Sequence, residues 1–284
     1  MSAEIPLTIY TTPKPFLDHT AKIQQNALKS WTYLIPRPEI ILYGDSKGSS
    51  EISRELGLKH VPIVKLSPFG TPLVNDMYKQ AHVLSKNWVF AYINSDIIAF
   101  DSFMTSIGSV ASLFPEFLIV GQRWNLNVDM LIDYDNPDWV QTLSNHLKSD
   151  GTIEAGCAID YFIFTRNIFD FIPDLTVGRA GWDNWFVYNA IVNSIPVIDA
   201  TKDITVIHQN HEYGHLEGGM KEVYSGNEAS YNMKIAGPLF KKGYAEFGYI
   251  EHATWKIENG KVIPRAKQLS IAEKIKFLLK RKQL

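Results

Sequence analysis

Asn94-Ser95-Asp96 closes an almost unbroken apolar run, Trp88-Val-Phe-Ala-Tyr-Ile, and the apolar pair Ile97-Ile98 follows directly. The run is rich in aromatic and β-branched residues, which predicts a strand from Trp88 to Ile98 buried on both faces, as in a parallel sheet covered by helices. A carboxylate in such company is costly unless a cation, a hydrogen bond or solvent meets it. Ligands of open α/β sheets bind beyond the carboxyl ends of the strands, so Asp96 stands where a divalent cation on a diphosphate would need it. Capping of the helix that opens near Asp101-Ser102 is the plainer role. One carboxylate binds a divalent ion weakly, so diphosphate oxygens, water and another side chain must complete the set. Asn94 would add a carbonyl or hold a ribose, with Ser95 beside it.

Two further stretches have the right residue types. In Gly178-Arg-Ala-Gly181-Trp-Asp183-Asn-Trp185 the glycines allow close backbone approach, and Asp183 falls at a predicted helix start. A partly desolvated carboxylate there is a general base for a hydroxyl nucleophile, with Trp182 and Trp185 as an apolar or sugar-stacking wall. The alternative is an N-terminal cap between core tryptophans. The third stretch is His208-Gln-Asn-His211-Glu-Tyr-Gly-His215. Its last five residues match His-Glu-x-x-His, the zinc-protease pattern, which works only on a helix. Here it follows a β-like run and contains Gly214, so a protease is not expected. A metal ligand at His208 or His211, with His208 favoured because it ends the strand, is weighed against a buried, hydrogen-bonded core histidine. Thr11, Thr12, Asp45 and Gln122-Arg123-Trp124 lie at predicted strand ends, and Lys79 on the helix before the metal strand could reach a phosphate. Each of these is also explained by a turn or a solvated helix face.

The elements that must position these groups alternate in period. Strands are expected at Leu7–Tyr10, Glu39–Tyr43, Val61–Leu66, Trp88–Ile98 and Phe117–Gly121. Helices are expected at Thr20–Tyr33, Ser50–Leu56, Leu73–Leu84 and Asp101–Leu113, which gives βαβ units and a mainly parallel sheet. The second half holds helices near Trp139–Leu147, Trp182–Asn193 and Asn227–Phe240, and strands at Ala158–Phe164 and up to His208. With no linker in the 284 residues, one domain is expected, with a binding half at about 1–121, a catalytic half at about 122–220 and an extension at 221–284. Hydrophobic residues make up 45% and charged residues 20% of the chain, and the net charge of −2 gives no reason to expect a nucleic-acid partner. Cys157 is the single cysteine, which fits a reducing compartment. The N-terminus lacks a basic region with an apolar run, and nothing reaches the roughly 18 apolar residues of a membrane span. A cytoplasmic protein is therefore expected.

In order of elements and in wording, the chain resembles the nucleotide-sugar glycosyltransferases of the GT-A fold, over about residues 5 to 215. The matching segments are Tyr-Ile-Asn94-Ser95-Asp96-Ile, Ala-Ile-Asp160-Tyr-Phe-Ile-Phe, Gly-Arg-Ala-Gly-Trp182-Asp183-Asn-Trp and His208-Gln-Asn-His211. The resemblance implies a Rossmann-type, mainly parallel sheet flanked by helices. It also implies a UDP- or GDP-sugar donor in the N-terminal half and a saccharide or other hydroxyl acceptor in the second half. Mn²⁺ or Mg²⁺ would be held by Asp96 with His208 or His211, and Asp183 would be the base of an inverting transfer. Asp160 would bind the donor sugar or compete with Asp183 as base. Asn94 departs from the family's first acid. Other readings are a sugar-phosphate nucleotidyltransferase, although Tyr10-Thr-Thr-Pro-Lys-Pro lacks a glycine-rich phosphate loop, and a non-catalytic sugar-binding module using Trp124, Trp182 and Trp185. The C-terminal stretch Ser270–Leu284 reads as a basic amphipathic helix, either docked on the domain or in peripheral contact with an anionic membrane.

Overall fold

A computed structural model describes residues 5–211, 219–236, 240–241, 244–245 and 248–265. The C-terminal stretch expected to form a basic helix lies outside them. The first half follows the expected alternation. Strands β1 (Leu7–Thr11), β2 (Glu39–Tyr43), β3 (Lys59–Val61) and β4 (Val89–Ile93) alternate with helices α1 (Asp18–Thr32), α2 (Ser49–Leu56) and α3 (Val74–Leu84). The third strand ends earlier than its apolar residues suggest. Pro62 brings no N–H to the ladder, and Ile63 beyond it is exposed, so residues 62–73 become a loop over the sheet edge.

The apolar run expected as one strand is two. Beyond β4 the chain turns at Asn94, where the Ile97 N–H bonds the Asn94 carbonyl at 3.1 Å, and β5 (Ile97–Ala99) joins a different sheet. There follow α4 (Ser102–Ala111), β6 (Leu118–Val120), β7 (Trp124–Leu126), α5 (Trp139–Asp150), β8 (Thr152–Ile153) and β9 (Tyr161–Thr165). Next come α6 (Trp182–Val192), β10 (Val197–Asp199), β11 (Val206–Gln209), α7 (Gly219–Ser225) and α8 (Asn227–Ile235). A short pair, β12 (Phe240–Lys241) and β13 (Tyr244–Ala245), precedes a 3-10 turn at Ile250–His252 and the hairpin β14 (Trp255–Glu258) and β15 (Lys261–Pro264). That hairpin turns on Asn259-Gly260, both at positive φ, with their N–H groups bonded by Asp203 at 2.8 and 2.6 Å.

The large sheet has the order β15-β14-β10-β6-β9-β4-β1-β2-β3; only β9 and β15 run against the other strands. One apolar layer lies on each face, α6 and α3 supplying one and α1 and α4 the other. A smaller sheet, β5-β11-β7-β8, carries a third cluster under α5. No helix of the described residues is long and apolar enough to cross a membrane.

The two sheets meet at the turn after β4. His208 on β11 pairs with Ile97 on β5, so it stands one residue from Asp96 across the ladder. The fully buried Gln209 donates from Nε2 to the Asp96 carbonyl at 3.0 Å and to the Ile23 carbonyl at 2.7 Å, while its Oε1 accepts from Asn26 at 3.0 Å. Gln209→Leu keeps the volume but strands these buried partners, each costing about 1–3 kcal/mol. We expect urea denaturation to show a loss of roughly 3 kcal/mol or more; a loss under about 1 kcal/mol would remove Gln209 as the clamp of this turn.

Candidate active site

A cleft of about 1070 Å³ opens at the carboxyl ends of β1, β2 and β4, and Thr12, Asp45, Asn94, Ser95, Asp96, Arg123, Asp160, Trp182, Asp183, His208 and His211 all line it. The structure thus gathers into one space most of the residues singled out from the sequence. Thr11 is fully buried inside β1, and Lys79 is exposed on α3; neither lines the cleft.

At one end, Asp96 Oδ2 lies 3.2 Å from His211 Nε2 and 4.0 Å from His208 Nε2. The three donor atoms sit within 4.8 Å of one another, a spacing that one ion could bridge. Both histidines belong to the cluster, and His211 is the nearer to Asp96. Buried Asp96 Oδ1 and His208 Nδ1 have no hydrogen-bond partner. Burial acts to raise the Asp96 carboxyl, but the His211 hydrogen bond and the charges of His208 and Lys14 outweigh it and hold Asp96 well below the usual carboxylate range. Burial pushes His208 down against the pull of Asp96. A carboxylate kept charged and an imidazole kept neutral are the forms that bind metal. His211 follows β11 outside any helix, and the remainder of the His-Glu-x-x-His match, with His215, lies outside the described residues.

Lys14, which the sequence reading passed over, reaches this cluster from the loop after β1, its Nζ 3.2 Å from His211 Nε2. Burial lowers its ammonium, with Asp96 opposing and Arg179 assisting the shift. Its position just past a strand end was the available signal. Ser95 Oγ donates to Gln24 at 2.9 Å, which fixes the turn.

The middle of the cleft is an organised charge cluster. Asp160 precedes β9, and both its oxygens are engaged: Asn94 Nδ2 donates to Oδ1 and Arg123 Nη1 to Oδ2, each at 2.6 Å. Arg123 also faces Glu154 at 3.7 Å and donates to Asn125 at 3.1 Å. These bonds explain why Asn and not Asp stands at position 94, because a carboxylate there would meet Asp160 with no proton between them. They also leave both Asp160 oxygens engaged, unlike a carboxylate with a vacant oxygen.

Asp183 is that carboxylate. Gly181, at φ +102°, caps α6 and sends residue 183 into the first turn. Its buried Oδ1 has no hydrogen-bond partner. Burial raises the carboxyl to about 7; the N–H groups of the helix start pull it down, while the charge of Asp160 pushes it up. Trp182 and Trp185 are only 4% and 3% exposed and pack on Phe162, Phe169, Phe186 and Tyr92, so they are core more than stacking surface.

The segment before α6 is fixed by α8, beyond the reach of the sequence motifs. Asn232 accepts the Thr176 N–H at 2.7 Å and donates to the Thr176 carbonyl at 2.9 Å. Buried Glu228 pairs with Arg179 at 2.7 Å and accepts Ser67 at 3.1 Å and Thr71 at 3.0 Å from the 62–73 loop.

No protein-family model matches the sequence, and neither does any curated protein. Among solved structures the chain is similar to S. aureus TarS 1-349. The crystal structures of its complexes with UDP-GlcNAc and with UDP are each 12% identical at a TM-score of 0.34, over 43% of this chain and 36% and 37% of those chains. A further TarS 1-349 crystal structure is 10% identical at a TM-score of 0.41, over 73% of this chain and 59% of that one. The chain therefore spans less than two thirds of the length of each.

Two stability measurements check this electrostatic description. Asn94→Asp puts two carboxylates in contact, which raises a folded-state pKa above its unfolded value and makes stability fall as pH rises from 4 to 7. Relative to the native protein, unfolding free energy should drop by about 1–3 kcal/mol at pH 7 and less at pH 4; a pH-independent difference would contradict the contact. Asp183 already has a raised folded pKa, so its penalty grows from pH 4 to about 7 and is full above that. Asp183→Asn should therefore be the more stable protein at pH 8, by up to about 4 kcal/mol, and the gain should vanish near pH 4.

Proposed function

We propose that the protein is a glycosyltransferase of the GT-A type that moves a sugar from a nucleoside-diphosphate sugar to a hydroxyl acceptor, with a divalent metal at Asp96, His208 and His211. The single observation that carries this reading is that the Asp96–His208–His211 cluster and the raised carboxyl of Asp183 open into one cleft. A charge-neutralising site for a leaving group and a base for a nucleophile are the two halves of a group-transfer centre.

The donor's nucleoside would lie along Thr12 and Asp45, at the ends of β1 and β2. Its diphosphate would face Asp96, with Lys14 as a second positive charge. The bound ion would offset the negative charge that grows on the departing nucleoside diphosphate. A donor set of two imidazoles and one carboxylate suits Mn²⁺, Fe²⁺, Co²⁺ or Zn²⁺ better than Mg²⁺, which favours all-oxygen ligands. Asp183 takes the proton of the acceptor hydroxyl as that oxygen bonds to the anomeric carbon. The bond from that carbon to the diphosphate breaks, its electron pair leaves with the nucleotide, and the centre inverts. Asp160, held by Asn94 and Arg123, keeps Asp183 basic by its charge. A nucleotidyltransferase is less well supported, because Thr12-Pro-Lys14-Pro after β1 offers no glycine cradle for a triphosphate. Trp185 is enclosed in the core, which weakens a binding module built on exposed tryptophans.

The test is release of nucleoside diphosphate from a panel of UDP- and GDP-sugars with Mn²⁺. We expect the rate to rise with pH through an apparent pKa near 7. Asp183→Asn should lower acceptor-dependent turnover by about 10²–10⁴-fold and abolish that limb. Asp96→Ala should abolish Mn²⁺ binding by calorimetry. Pyrophosphate as the product, or a variant at Asp183 with normal turnover, would overturn the assignment. Mn²⁺ affinity unchanged in a His208→Ala/His211→Ala double variant would remove the metal site.

A further inference from the structure

Two tyrosines outside every sequence motif stand beside the proposed base. Tyr224 lies in the last turn of α7 and Tyr249 precedes the 3-10 turn, and both line the cleft together with Cys157 and Asp183. Tyr224 is 54% exposed and belongs to none of the apolar clusters, so core packing does not account for its place. Tyr249 is partly buried at the edge of the core layer that contains α6.

Each ring is tied to the base through the residue just before it. The Ala180 N–H donates to the Val223 carbonyl at 3.1 Å, one residue from Tyr224 and three from Asp183. Asn184 Nδ2 donates to the Gly248 carbonyl at 3.1 Å, one residue from Tyr249 and one from Asp183. The second tie is closer than any side chain would allow: Gly248 has φ +98°, and a Cβ there would lie 2.2 Å from the Asn184 carbonyl oxygen. The Ile250 N–H, bonded to the Gly156 carbonyl at 3.3 Å, pins Tyr249 to the Cys157 loop as well. Burial is the main cause that raises both phenols, and the Asp183 charge adds to it in each, which places both within its field. Segments remote in sequence thus bring two tyrosines to the lining of the cleft that holds Asp183.

We propose, resting on the glycosyltransferase reading, that the acceptor is a saccharide whose pyranose ring stacks on Tyr224 and Tyr249 and presents a hydroxyl to Asp183. A pyranose has an apolar C–H face and a polar hydroxyl edge. An aromatic face beside a carboxylate matches both at once, and aromatic rings supply this contact with little loss of side-chain freedom. An alkyl chain would match only the rings and would leave the vacant Asp183 oxygen facing hydrocarbon.

The test is saturation-transfer NMR on the full chain with UDP and diamagnetic Zn²⁺, using the methyl glycosides of glucose, galactose, mannose and N-acetylglucosamine as probes. We expect ring C–H protons of at least one glycoside to receive saturation. Tyr224→Ala and Tyr249→Ala should each cut the signal by about fivefold, as loss of a stacking contact predicts, and the Phe variants should keep it within about twofold. Should Tyr249→Ala unfold, the exposed Tyr224 carries the test through its Ala and Phe pair. Equal saturation in native and Ala variants overturns the inference. So does saturation of the alkyl chain and not the ring of an octyl glucoside, or no saturation of any probe. Hydrolysis of a nucleotide sugar by the native protein is read separately. Its absence with every donor overturns the glycosyltransferase reading itself, whereas hydrolysis together with unaltered saturation overturns only the acceptor assignment.

Discussion

The chain must leave one sheet and enter another within three residues, and the arrangement of the site depends on that constraint. At Asn94 the last ladder contact of β4 is replaced by a bond to the Asp160 backbone, and at Ile97 the chain is already paired with β11. Between them the backbone cannot turn back into either core, so residue 96 is delivered to the seam where both sheets present their strand ends. The buried Gln209 makes the junction rigid by donating to the Asp96 carbonyl from the β11 side. A metal-binding carboxylate needs this kind of support, because a side chain free to swing would lose much of its affinity in becoming ordered.

Three carboxylates within one cleft illustrate how surroundings assign different tasks to one chemical group. Asp96 is surrounded by nitrogen ligands and stays ionised. Asp160 has a hydrogen bond on each oxygen, from Asn94 and Arg123. Asp183 receives the repulsion of the Asp160 charge in a buried position, so it can hold or release a proton near neutrality. The separation follows from which residues donate hydrogen bonds. Asn94 is the pivot, since its amide donates to Asp160 and does not add a further charge beside it.

Much of this was legible in the sequence, for identifiable reasons. Strands buried on both faces, such as Glu39–Tyr43, leave a dense apolar signal, and helices with one apolar face leave a period of 3.6. Gly181 before Asp183 marked a helix start, and His208 closed an apolar run. What escaped was set by contacts between distant residues. The division of Trp88–Ile98 into two strands depends on β11, more than a hundred positions later, and no local pattern encodes it. The hairpin Trp255–Pro264 carried a readable Asn-Gly signal at its turn that the surrounding polar sequence obscured. Glu228, Asn232, Tyr224 and Tyr249 look like ordinary helix or loop residues, and their role arises only from what they touch.

The ties from α8 and Gly248 to the segment around Asp183 also bear on how the protein comes into being. Strands β1 to β4 and β9, with His208 and His211, are all complete by residue 211. The backbone that carries Asp183, however, is held by side chains and carbonyls at positions 223 to 248, and β14 joins the large sheet later still. During synthesis the strand-end wall of the cleft can therefore take shape while the wall that carries Asp183 is still loose. A chain emerging from the ribosome would close this cleft only after the segments at positions 223 to 248 had been made.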